Sequence, residues 1–217
     1  MKNYLLILFF ICTTTKSFSQ YDTITFKLPL PYKDTLFRYC NGQKCNGIVI
    51  DTFENGKIKF KSFYNNGQLD GIETGYFQNG NIRAIEKYDM GKFIGTWFYY
   101  YENGNINAEY NYEYSNDKSS KSITYYLNGI IETKEEFTKD FDLLYYYSFN
   151  EKGDTTYKCI PIDFKKKIYE FISYYDNGLI EYSGQIQEKT EEGQKKIGIW
   201  KWYDEKGQLI KEEKKSK

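Results

Sequence analysis

The chain of 217 residues contains no histidine. That absence removes Ser-His-Asp and Cys-His nucleophilic schemes together with the commonest zinc ligand. Proline is nearly absent: Pro29, Pro31 and Pro161 are the only three, and all are expected outside the repeated strands described below. A chain of many strands needs that, since proline removes a ladder hydrogen bond. No charge sign prevails, with 30 basic and 30 acidic residues. A basic stripe for nucleic acid is therefore not expected, nor an electrostatic reason to bind an anionic lipid surface. No apolar run reaches the roughly 20 residues that span a bilayer as a helix. No glycine-rich phosphate loop follows the Walker pattern.

Aromatic residues are plentiful, at 20% of the chain, with 24 Tyr, 16 Phe and 3 Trp. Such a composition opposes disorder and favours pleated, half-buried surfaces. Near the N-terminus, Lys2 precedes the apolar run Tyr4–Ile11, and a polar stretch ends in Ser17-Phe18-Ser19-Gln20. The order predicts a signal peptide over 1–19 and a mature N-terminus at or near Gln20. Removing Lys2 and Lys16 leaves 28 basic against 30 acidic residues, a net charge near −2. The expected location is outside the cell, or the periplasm and envelope. Three cysteines then remain, Cys40, Cys45 and Cys159. Cys40 and Cys45 flank Asn41-Gly42-Gln43-Lys44, a predicted turn short enough for a disulfide, with Cys159 left free.

Glycines at positions 56, 80, 104, 129, 153, 178 and 207 recur at intervals of 24, 24, 25, 24, 25 and 29 residues. Five follow asparagine: Asn55, Asn79, Asn103, Asn128 and Asn177. Asn-Gly between apolar flanks predicts a hairpin with a type I′ turn, which needs positive φ at both residues. A second turn precedes the main one by 13 residues, as Gly67 precedes Gly80 and Gly91 precedes Gly104. Ile106, Ala108, Tyr110, Tyr112 and Tyr114 alternate with Asn107, Glu109, Asn111 and Glu113, which is a strand period. The expected fold is all-β, an extended antiparallel meander of β-hairpin repeats with about 24 residues per unit. Residues 20–43 are expected to form an N-terminal edge strand or cap, and 44–217 the repeat domain. The insertion within 185–196, which stretches the last interval, is expected as a polar loop.

The flanks repeat as well. Lys92-x-x-Gly95-x-Trp97-x-x-Tyr100-x-x-x-Gly104-x-Ile106 matches Lys195-x-x-Gly198-x-Trp200-x-x-Tyr203-x-x-x-Gly207-x-Leu209. Gln68, Gly71, Tyr76, Gly80 and Ile82 keep the frame with Glu73 in the tryptophan place, and Lys44, Gly47, Val49, Gly56 and Ile58 keep it more loosely. These motifs resemble the bacterial variant of the MORN repeat, over roughly residues 44–212. The resemblance implies a β-hairpin array, a binding or scaffolding role with possible self-association, and no catalytic residue. For some bacterial variants it also implies an antitoxin or immunity role.

No catalytic, cofactor or metal site is expected. Glu102, Glu109, Glu113, Glu132, Glu135 and Glu136 read as solvated residues of turns and strand faces. Asp51, Asp70 and Asp89 lie near turns, without a calcium loop around them. The expected function is a secreted or envelope-associated, non-enzymatic module that binds another protein or an envelope component. A glycan-binding or glycan-cleaving envelope protein is the alternative from a second class, because abundant acids and aromatics suit sugars. Trp97 and Trp200 are expected in the core. Trp202 and Tyr203 are the expected partner contact, Trp202 because it ends the final, less covered strand.

Overall fold

A computed structural model describes residues 37–113, 119–189 and 193–215, all within the compact unit Leu36–Lys217. The expected signal peptide and residues 20–36 of the expected cap lie outside the described residues. No helix occurs among those that are described. A 16-stranded antiparallel sheet runs from the edge strand Gly47–Thr52 to the edge strand Leu209–Lys215. Along the main path each strand pairs with its neighbours in chain order, while the two-residue strands Gln68–Leu69 and Lys92–Phe93 lie off it and pair only with Ile58–Asn65 and Ile82–Asp89. The meander expected from the glycine interval is therefore the observed topology. The residues ahead of the sheet form a separate two-stranded hairpin, Tyr39–Cys40 with Gln43–Lys44.

The turns beside the Asn-Gly pairs differ from expectation. Gly56, Gly80, Gly104, Gly129 and Gly178 have positive φ, but none of the preceding asparagines does. Each is a three-residue connection with glycine alone in the left-handed region, as in Phe53–Lys57. There Gly56 N–H donates to Phe53 O, and Phe53 N–H donates to Lys57 O. Asparagine is used for its side chain: Asn55 Oδ1 accepts from Lys57 N, and Asn79, Asn103, Asn128 and Asn177 repeat the bond two residues on. Next to every such turn the register slips by one residue, as between Ile106 and Ala108. Ile106 pairs with Tyr100 instead of continuing the Ala108 register, so strict alternation stops at Ala108.

Two positive φ values occur instead along the opposite row of turns, at Asn41-Gly42, Asn66-Gly67 and Met90-Gly91. Farther along, Phe141 and Lys167 hold the positive-φ place in that row. No glycine marks those two turns.

Two further expectations are corrected. Pro161 lies inside strand Thr155–Asp163, opposite Tyr169. It is tolerated there because a register slip follows it and because pairing with the preceding strand has ended at Cys159. The insertion around 185–196 is not a loop. It lengthens two strands, Ile180–Lys189 and Gly193–Tyr203, which stay paired from Gln185↔Ile197 out to Lys189↔Gly193. Ile186 and Ile197 are buried on this extension, which rewards continued pairing.

Candidate functional site

The strand registers place one row of residues across the middle of one sheet face. Its hairpin pairs are Val49↔Ser62, Glu73↔Glu86, Trp97↔Tyr110, Ser122↔Glu135, Tyr146↔Cys159, Phe171↔Gly184 and Trp200↔Glu213. The first member of each pair sits seven residues before a turn glycine. Most of the core lies on this face. Trp97 and Trp200 are both 1% exposed, as the repeat frame predicts. Trp97 packs against Tyr88, Phe93 and Tyr112, at centroid distances of 5.1, 4.3 and 4.6 Å, and its indole N–H donates to Lys87 O. Trp200 lies directly over Gly184, where a Cβ would strike its ring. Its indole N–H donates to Gln185 O at 3.2 Å. Cys159, Tyr169, Phe171 and Ile186 complete that cluster.

Between the tryptophans, and again on the N-terminal side of Trp97, the same face buries polar groups in hydrogen-bonded sets. Ser122 Oγ donates to Glu135 at 2.7 Å, and burial holds the Glu135 carboxyl above its usual range. Tyr88 and Tyr99 hydroxyls both donate to Glu86, at 2.9 and 2.7 Å. Burial and the nearby Glu86 carboxylate push both phenols upward. The Ser62 hydroxyl donates to Glu73, whose carboxyl is also raised, chiefly by burial. At the N-terminal end the Arg38 guanidinium grips Asp51 with two bonds of 2.7 and 2.5 Å and holds that carboxyl below its usual range. Glu135, expected as a solvated residue, is thus internal. Sequence reasoning missed the Glu73↔Glu86 pair, although Glu73 in the tryptophan place was its visible signal.

The other face carries a ladder of rings. Tyr76, Tyr100, Tyr125, Phe149, Tyr174 and Tyr203 each end the strand that enters a turn of the regular row. Each stands four residues before its turn glycine. All six are half-buried and recur every second strand, about 9–10 Å apart at the usual strand spacing. Lys134 Nζ lies over Tyr147 and Phe149 of this face, 4.8 and 5.4 Å from the centroids. Toward the N-terminal edge the face shows Ile48, Ile50, Phe63 and Ile72, all exposed.

Trp202 and Tyr203, the expected contact pair, lie on opposite faces, as neighbours in a strand do. Trp202 is half-buried against Trp200 at 6.2 Å, with Lys211 Nζ 4.6 Å above its ring. Its strand is not the last one, because Leu209–Lys215 pairs outside it. Tyr203 is the end of the ring ladder, and its carbonyl accepts from the Tyr175 hydroxyl. A disulfide joins Cys40 to Cys45, with Cα atoms 5.0 Å apart, and Cys159 is a buried free thiol.

The regular turn row is stitched from unit to unit. Asn105, Asn128 and Asn177 side-chain amides donate to Leu127 O, Glu151 O and Glu205 O of the next turn. Tyr101 and Tyr126 hydroxyls donate to Tyr125 O and Phe149 O in the same direction. Among the described residues no set of three acids or cysteines could hold a metal ion. Nor is any helix among them long and apolar enough to cross a membrane.

Four stretches, 46–66, 69–90, 94–114 and 196–214, match the model of the MORN repeat variant family. No curated protein matches the chain. MORN repeats generally serve protein or membrane binding and are not a known enzyme family. These four stretches coincide with the Val49, Glu73, Trp97 and Trp200 hairpins, and over them the chain carries repeats that match the MORN repeat variant.

Proposed function

We propose that this chain is an exported, non-catalytic binding and scaffolding module whose partner surface is the ring-bearing face of the sheet. The observation that carries the reading is the division of labour between faces. One face is closed by Trp97, Trp200 and their hydrogen-bonded neighbours. The other repeats a half-buried ring every second strand and leaves Ile48, Ile50, Phe63 and Ile72 exposed to solvent. Contiguous apolar surface of that kind marks interaction sites. Repeat scaffolds spread such a site over several units. The export signal expected at 1–19 supports a partner outside the cell or in the envelope.

The test is affinity capture from the native envelope with the chain lacking residues 1–19 as bait. Tyr100→Ala and Tyr125→Ala together should abolish capture while leaving the thermal melt within a few degrees. Trp202→Ala, on the core face, separates the two surfaces: retained capture supports the ring face, whereas lost capture with an unchanged melt moves the site to Trp202. A mature N-terminus near Gln20 checks the export step, and an intact Met1 on cytosolic protein refutes it.

One observation favours a second reading, an extended glycan as the partner. Flat rings at a regular interval near 9–10 Å suit stacking against successive sugars of an extended polysaccharide. Pull-down on insoluble cell-wall polysaccharide, lost in the same tyrosine double variant, would select it over a protein partner.

A further inference from the structure

Of the seven hairpin pairs in the central row, Glu73↔Glu86 alone sets two like charges directly opposite one another. Such a pair is destabilising when both members are ionised. Both side chains lie on the buried face. Glu86 is surrounded by donors, since the Tyr88 hydroxyl bonds one of its oxygens and the Tyr99 hydroxyl the other. Both Glu86 oxygens are thus occupied as acceptors. Glu73 has the Ser62 hydroxyl on one oxygen, which leaves the second free to carry a hydrogen.

We propose that Glu73 and Glu86 share one proton, seated on Glu73, and that this shared proton makes the N-terminal repeats a pH-responsive part of the sheet. Two carboxyl groups set directly opposite one another across a strand pair, and close enough to interact, titrate in separate steps, the second being postponed by the charge of the first. The surrounding groups do not cancel this. From Ile58–Asn65 come Ser62 and Tyr64, which are neutral. From Gly47–Thr52 comes Asp51, which adds negative charge and is already engaged by Arg38. From Ile82–Asp89 come Glu86, Tyr88 and Arg83, and Arg83 is the cation that favours ionised Glu73. From Gly95–Tyr100 comes Tyr99, a neutral donor. Burial outweighs the Ser62 and Arg83 contributions, so the Glu73 carboxyl is raised.

The consequence has a definite sign. A carboxyl whose folded value is raised binds more proton folded than unfolded, so stability falls as pH rises. The stabilisation is complete below the ordinary carboxylate range. It is lost as pH climbs through the raised value of Glu73. Mild acid should therefore tighten these units, and neutral or alkaline medium should loosen them. An exported chain would meet such changes in its surroundings.

The experiment uses the chain lacking residues 1–19, labelled for carboxyl carbon NMR, as wild type and as Glu73→Gln, Glu86→Gln and Glu135→Gln. In wild type the Glu73 carbon should titrate above the ordinary carboxylate range. Glu86→Gln should bring that titration down toward the ordinary range, by several-fold in the proton dissociation constant. Glu135→Gln, which removes another raised carboxyl in a different hairpin, should leave it unmoved. Glu73→Gln should raise the melting temperature at neutral pH and flatten its fall with pH. An ordinary titration of Glu73, or no movement of it in Glu86→Gln, overturns the shared proton. A melting profile that keeps its full slope in Glu73→Gln overturns the pH response. Should Glu73→Gln fail to fold, the titration in Glu86→Gln still decides.

Discussion

The last hairpin of the central row and its second use the same place in the repeat for opposite chemistry. At the C-terminal end the residue seven before the turn glycine is Trp200, fully buried over Gly184 and banked by Phe171, Tyr182 and Trp202. In the second hairpin from the N-terminal end it is Glu73, facing Glu86 and held by Ser62. The strand pairing around both is the same, antiparallel with one register slip beside the turn. The comparison teaches that the turns and the backbone ladder define the unit, while the central residue is free to be apolar or ionisable. Stability and responsiveness can then be assigned to different units of one sheet.

The comparison breaks first at the tryptophans. Trp200→Ala and Trp97→Ala should each lower the unfolding free energy by about 3–5 kcal/mol, read by denaturant titration. A loss under about 1 kcal/mol in either would mean that its cluster is not a core. Next in size is the seat of Trp200. Gly184→Ala should cost about 1–3 kcal/mol by overpacking, and the cost should shrink sharply in a Trp200→Ala background, since the two sites touch. Full additivity would remove the ring-on-glycine contact from the account.

The hairpin cap gives a smaller effect. Replacing Cys40 and Cys45 by serine opens a very short loop and should cost about 2 kcal/mol, felt at the N-terminal edge. Thiol counting on the chain without residues 1–19 should find one free cysteine. That thiol, Cys159, is pushed up to about 12 by burial and should react with alkylating reagent only after denaturation. Reaction in the native state would show the Cys159 cluster to be open. The smallest effect belongs to the turn stitching. Asn128→Ala removes one bond within its turn and one to Glu151 O of the next, and should cost about 1 kcal/mol. A change confined to neighbouring units, read by hydrogen exchange, would confirm nearest-neighbour coupling; an unchanged exchange pattern would exclude it.

The glycine interval was enough to read the meander, because a turn needing positive φ leaves a mark that few other residues can replace. Trp97 and Trp200 were legible as core for a similar reason, since a large ring recurring at a fixed distance from a turn must pack the same way twice. The conformation of the Asn-Gly turns was not legible. Asn-Gly suits both a two-residue connection and a three-residue one in which asparagine works through its side chain, and only the backbone angles separate them. Phe141 and Lys167 left no mark, because tertiary pairing on both sides imposes a left-handed residue there without glycine. The extended hairpin around Ile186 was hidden by its polar residues. In a sheet with one covered face, alternate residues may be polar all along a strand. Trp202 and Tyr203, both expected to touch a partner, stand on opposite faces, since adjacent strand residues cannot share one.

The strictly consecutive strand order has a bearing on how the chain acquires its structure. Apart from the short strands Gln68–Leu69 and Lys92–Phe93, every strand of the sheet pairs with the ones next before and after it in the chain, so no segment must wait for a distant one to be made. For an all-β protein this is a short average loop to close, which favours rapid folding. Growth can start at the Trp97 or the Trp200 hairpin and proceed outward one strand at a time. A chain emerging gradually through a narrow exit could add each strand as it appears, and would present at any moment only one unfinished edge.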